Sequence, residues 1–242
     1  MSESNTETPV QQTLVTETKS GRNVEYVITP YVKLSNYATH NYVESRGINY
    51  DIPLEGKENL LIQVMDEGMP VPLGVVSLTS QGETNLIPMI QMVKAYKKEI
   101  EDDKGKKIGK IEFGPVYIKT EHPLKDLIQG DDRINWQHLL LDEAERKSKA
   151  DGFNYLKISS GFSSKYLESG HKLPMAIQQY DMLVSSNEDW VPFNKNDQEI
   201  VLDRKVLHGI LRSLVRGKIM DEDITSRLML EKQPAYWKKK IT

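Results

Sequence analysis

The chain contains no cysteine. That absence excludes disulfides, thiolate catalysis and cysteine-ligated zinc, and it fits a reducing compartment. The opening text MSESNTETPVQQ has neither a basic n-region nor an apolar h-region, so no secretory signal is expected. No apolar run approaches the ~20 residues that a membrane-spanning helix needs. The expected location is therefore the cytoplasm, or a particle assembled in it, with no membrane partner. Metal-binding pairs are missing too. His40, His122, His138, His171 and His208 form neither HExxH nor HxxxH, and no DxDxDG calcium loop occurs, so no metal is expected. GKKIGK (105–110) lacks the glycine spacing and the hydroxyl residue of a phosphate loop. GFSSK (161–165) carries Lys165 where a nucleophile elbow needs glycine.

What is present suits one large domain, or one domain with appendages, in 242 residues. Hydrophobic residues at 38% supply a core, and charged residues at 28% leave a charge-rich surface. The net charge of −3 gives the whole chain no general attraction for nucleic acid.

Residues 1–22 are Ser, Thr, Glu and Gln with few apolar anchors, and read as a disordered tail or a docking arm for an assembly partner. NVEYVITPY (23–31) alternates and predicts a strand stopped at Pro30. Residues 32–46 show rough helical spacing, with Gly47 as the C-cap. NLLIQVMD (59–66) and LGVVSLTS (73–80) predict a hairpin joined through EGMPVP (67–72). Residues 85–101 carry Ile90, Val93 and Ile100 at helical spacing and read as a helix.

The organising stretch follows. KIEFGPVYIKT (110–120) alternates as a buried strand, 121–136 is a polar turn region, 136–152 is a charged amphipathic helix, and FNYLKISS (153–160) is a second strand. Beyond it, SSKYLESG (163–170) predicts a short helix, 175–186 a strand and NEDWVPFNKND (187–197) a loop. From 203 to 232 the pattern is helical, and 233–242 is a basic, aromatic tail. The predicted fold class is α/β, a mixed central sheet flanked by helices. The predicted organisation is a tail at 1–22, an α/β domain at 23–198 and a C-terminal helical extension at 199–242.

Arg204, His208, Arg212 and Arg216 recur at i, i+4 on one helix face. With Lys205, Lys218 and Lys238 to Lys240 they suit a phosphate-rich ligand, nucleic acid included, or simply a solvated face opposite the leucines.

The element order over roughly 23–186 resembles that of the GNAT-type N-acetyltransferase superfamily. In that family a hairpin leads to a central strand, here 110–120, which splays from its neighbour. Its exposed amides take the pantetheine arm of an acyl-CoA, and the next helix offers its N-terminus to the pyrophosphate. FGPVYI (113–118) and YLESGHK (166–172) are similar to segments of the FemABX-type aminoacyltransferases, which are built from such domains. The resemblance implies a transferase acting on a protein or small-molecule amine, with acyl-CoA or aminoacyl-tRNA as donor. It implies Val116, Ile118, Gln129, Gly130 and Arg133 as donor-binding residues. Glu112 on the predicted strand is the candidate base, and Tyr166 matches the family's acid. The family's phosphate signature, Arg/Gln-x-x-Gly-x-Gly/Ala, is missing. Its nearest text, Gln129-Gly130-Asp131-Asp132-Arg133, brings two carboxylates that repel a pyrophosphate. The same fold used without catalysis, as a structural or cargo component of a larger assembly docking through 1–22 or 203–242, stands as the alternative.

Overall fold

The structure, a computed structural model, describes residues 12–32, 40–45, 48–54, 57–101, 107–113, 124, 126–127, 134–160, 183–205, 207 and 234–242. In chain order these form β1 (Leu14–Glu17), β2 (Asn23–Pro30), β3 (His40–Ser45), β4 (Ile48–Pro53), β5 (Glu58–Asp66), β6 (Met69–Gln81) and β7 (Thr84–Met92). Then come β8 (Lys94–Glu101), β9 (Lys107–Phe113), a helix α1 (Trp136–Ala150), β10 (Tyr155–Ser159), β11 (Trp190–Phe193) and β12 (Tyr236–Lys240). The fold is mixed α/β, strand-rich and mostly antiparallel. Among the described residues, no helix is long and apolar enough to cross a membrane.

An eight-stranded sheet has the order β1-β2-β5-β6-β7-β10-β12-β11, and a four-stranded sheet has the order β3-β4-β8-β9. Every neighbouring pair is antiparallel except β7 and β10. A parallel pair needs a crossover, and α1 lies in the connection that supplies it. The chain steps from one sheet to the other at Val93, whose amide donates to the Leu73 carbonyl at 3.0 Å.

The expected hairpin is present but tighter than its text suggests. Asp66 pairs Met69 across Glu67 and Gly68, both at positive φ (50° and 79°), the backbone of a two-residue turn whose twist matches its strands. Pro70 and Pro72 therefore lie in β6 rather than in the turn. They are tolerated because the β6–β7 ladder reaches only Gly74, so β7 asks nothing of their missing N–H groups.

The helix forms where expected. Trp136, Leu140, Leu141, Ala144 and Ser148 are its buried residues, a stripe with helical period, and Leu140 and Ala144 are both 0% exposed. It ends at Gly152 (φ +83°), where the amides of Gly152 and Phe153 donate to the carbonyls of Lys149 and Ser148, each at 3.0 Å. This double closure is the Schellman arrangement, and only glycine takes that φ without strain. β2 and β10 also lie where the alternation places them.

Other expectations are corrected. The stretch 85–101, expected as a helix, is β7 and β8; Pro88 is tolerated in β7 but would have broken a helix. Residues 40–45, expected within a helix, are β3. The strand expected at 110–120 is described only to Phe113, and as β9 it pairs β8 in the smaller sheet rather than standing at the centre of the larger one. Leu14–Glu17, inside the expected tail, pair β2. Trp190–Phe193, expected as loop, are a strand. Residues 183–185, the end of an expected strand, form a helical turn. The C-terminal tail, assigned to a separate extension, contributes β12 to the main sheet between β10 and β11. Trp237, buried at 0% exposure, explains that docking. The short helix at 163–170 lies outside the described residues. Of the predicted C-terminal helices, only Asp203 to Lys205 and Leu207 are described, with Arg204, Lys205 and Leu207 as helix.

Candidate functional site

The parallel ladder between β7 and β10 is short. It runs from Thr84↔Tyr155 to Ile87↔Ile158 and stops. Beyond it β7 continues to Met92 against β6, and β10 continues to Ser159 against β12. The described ladder between the two strands ends at Ile87. A bulge lies at the same place. The β6–β7 register shifts between Ser77 and Thr79, whose partners are Met89 and Leu86, so β7 carries an extra residue there. A bulge bends its strand and raises its twist, and Pro88, inside this bulge, has no amide to offer β10. The bulge thus falls where the described ladder with β10 ends.

The start of α1 lies at this same end. Trp136, its first residue, covers Gly74, and Gly74 pairs Met92, the last residue of β7. The other end of α1 is tied to the closed end of the ladder. The Asn85 amide donates to the Ser148 hydroxyl at 2.9 Å, and that hydroxyl donates to the Ala144 carbonyl at 2.6 Å. The helix thus runs antiparallel to β7, with its N-terminal, partially positive end beside the last residues of β7. Its first turn carries no acidic residue, and Asn135 makes no side-chain cap, so the orphan amides are not satisfied by the cap side chain.

The far side of the sheet is braced by ion pairs and a cation clamp. Lys239 of β12 reaches Glu145 of α1 at 2.8 Å and Asp189 at 3.3 Å. Burial alone would raise the Glu145 carboxyl, but hydrogen bonds from Lys239 and Lys149 outweigh it and leave the group below its ordinary value. Arg204 donates to the backbone carbonyls of Ser185, Asn187, Glu188 and Trp190, and its guanidinium stands 5.7 Å from the Trp237 ring centroid. That guanidinium is committed to holding the segment before β11, which removes Arg204 from the expected phosphate-binding stripe. His208, Arg212, Arg216 and Lys218 lie outside the described residues.

Of the residues expected at the site, Glu112 lies in β9, in backbone register with Tyr96. It therefore belongs to the smaller sheet, on a strand paired with the one that continues from β7. Val116, Ile118, Gln129, Gly130, Arg133 and Tyr166 lie outside the described residues. The feature that sequence reasoning missed is Pro88–Met92. Its signal was Pro88 inside an otherwise strand-competent run, which marks a bulge or an edge.

A groove of about 520 Å³ lies elsewhere, between Pro30–Val32, Lys57–Leu60 and the last turns of α1. Its charges neutralise one another. Arg146 pairs Glu143, and Lys147 pairs both Glu58 and Asp151. It offers little to a charged substrate.

No protein-family model, curated protein or solved structure matches the chain.

Proposed function

We propose that the chain is an acyl- or aminoacyltransferase built on an acetyltransferase-like plan, acting on an amine acceptor. One observation carries this reading: the described β7–β10 ladder ends at a bulge in β7, and the N-terminus of α1 lies at that end. In the fold that the sequence resembles, a hairpin leads to a splayed central strand, then a helix, then the neighbouring strand. On this reading the hairpin is β5–β6, the central strand is β7, the helix is α1 and the neighbouring strand is β10. The role first given to 110–120 passes to β7, and the donor arm is assigned to Pro88–Met92 in place of Val116 and Ile118.

The chemistry needs a base to take a proton from the attacking amine and an acid to protonate the leaving group, as the new amide bond forms and the donor's acyl bond breaks. Glu112 remains the proposed base and Tyr166 the proposed acid. Gln129, Gly130 and Arg133 precede α1, so they form the proposed turn for the donor's phosphates. Asp131 and Asp132 oppose a pyrophosphate there, so an acyl-CoA donor would be held through its pantetheine arm more than through its phosphates.

The non-catalytic reading draws on a specific observation as well. Glu112 sits in the smaller sheet rather than on a strand beside β10, and a scaffold needs no base there. A transfer assay separates the two. Radiolabelled aminoacyl-tRNA and acetyl-CoA are offered with a mixed set of primary amines. A transferase yields labelled amide that falls at least tenfold in Glu112→Gln. No product from either donor supports the scaffold.

A further inference from the structure

The face of the main sheet opposite α1 carries a second feature. Strand alternation places Tyr155 and Lys157 of β10, Tyr236, Lys238 and Lys240 of β12, and Phe193 of β11 on one side. Lys239, between them, turns to the other side to meet Glu145. On the α1 side Lys147, Lys149 and Lys239 all sit against carboxylates. On the opposite face the pattern changes. The Lys157 ammonium stands 3.6 Å from the Tyr236 ring centroid, and that of Lys238 stands 4.0 Å from Tyr155. Among the described residues, neither these two lysines nor exposed Lys240 has a carboxylate partner. Phe193 stacks on Tyr236 at 5.3 Å, with planes 3° apart, and keeps part of its ring open to solvent.

A ring holds an ammonium in place without neutralising it, so its charge stays available to a second, anionic partner. Lys157 and Lys238 are cross-strand partners, and Lys240 follows Lys238 by about 6.6 Å along the same strand face. Asp197, whose carboxylate accepts the Tyr236 hydroxyl, closes the patch at the Phe193 end. The row of open charge therefore runs from Lys157 toward Lys240.

We infer that this face binds the phosphodiester backbone of single-stranded nucleic acid. The row contains no arginine, so it meets an anion through point charges rather than through a bidentate fork. Lysines are point charges suited to a backbone whose phosphates recur, and a part-open aromatic ring beside them offers a base a stacking surface. The net charge of −3 makes the contact local and salt-sensitive. The inference does not depend on the transferase reading, since it concerns a different face.

The test is fluorescence anisotropy of the full chain with a labelled oligouridylate at low salt, with polyglutamate as the competing polyanion. Lys157→Glu, Lys238→Glu and Lys240→Glu are each expected to weaken binding at least tenfold, while Lys147→Glu leaves it unchanged. Three phosphate contacts predict a slope of log affinity against log salt of about −2, at ~0.7 per contact for a single strand. Lys240 makes no contact that the fold needs, so its variant and the salt slope stand even where Lys157→Glu or Lys238→Glu fails to fold. The inference is overturned by no saturable binding, by binding that survives Lys240→Glu, or by polyglutamate competing as strongly as unlabelled oligouridylate.

Discussion

A methyl group on Gly74 would stand 2.4 Å from Cζ3 of Trp136. No real contact is that short, so the glycine exists to let the first residue of α1 lie flat on β6. This contact sets where the helix begins relative to the end of β7, since Gly74 pairs Met92.

Gly74→Ala is therefore expected to cost about 1–3 kcal/mol, the range for overpacking a close-packed site. Trp136→Leu, which removes the obstructing ring, should make the same glycine substitution much less costly. Denaturant unfolding of the two single variants and the double variant measures this coupling. Additive losses would mean that the two residues do not meet.

Leu140→Ala is expected to cost about 2–5 kcal/mol, because the side chain is fully buried against the sheet. Arg146→Ala, one turn and a half further along the exposed face, should stay within about 0.5 kcal/mol. Equal losses would place the wrong face of α1 against the core.

The Glu145–Lys239 pair predicts a pH dependence on the acid side. The carboxyl is lowered in the folded chain, so its contribution is present above the ordinary value of 4.5 and is lost as pH falls through the folded value. The Lys239 ammonium is raised: burial lowers it, but its bonds to Glu145 and Asp189 more than compensate. Its contribution is present below 10.5 and fades above that. Melting temperatures should therefore fall below about pH 4.5 in the native chain, and less steeply in Glu145→Gln. Parallel curves for the two proteins would show that the pair contributes no linkage.

The legible parts of this fold are those whose periodicity is uninterrupted. The α1 stripe from Trp136 to Ser148, the alternation of β2 and the β5–β6 hairpin all follow from spacing alone. Three kinds of text concealed the rest. In β7 and β8, Ile90, Val93 and Ile100 fall at helical spacing by coincidence, and Pro88 was the one signal against a helix. In β12 the run Lys238-Lys239-Lys240 hides an alternation, because Lys239 turns toward Glu145 while its neighbours lie on the other face. In β11, Pro192 reads as a loop residue yet sits buried in a strand. The helix and the strand after it were legible, but the strand that pairs β10 was not, since 110–113 belong to the smaller sheet. The strand beside β10 is brought there by tertiary pairing over a long separation, and nothing local in 84–92 announces it.

The central claim is that the end of β7, from Pro88 to Met92, receives the pantetheine arm of an acyl-CoA donor. It is tested most directly by amide chemical shifts on adding pantetheine, which carries the arm without the pyrophosphate. The expected result is a saturable shift at the amides of Met89 to Met92, with acetyl-CoA binding no more tightly than pantetheine because Asp131 and Asp132 cancel any gain from its phosphates. Shifts confined to other strands, or none at millimolar pantetheine, would contradict the account.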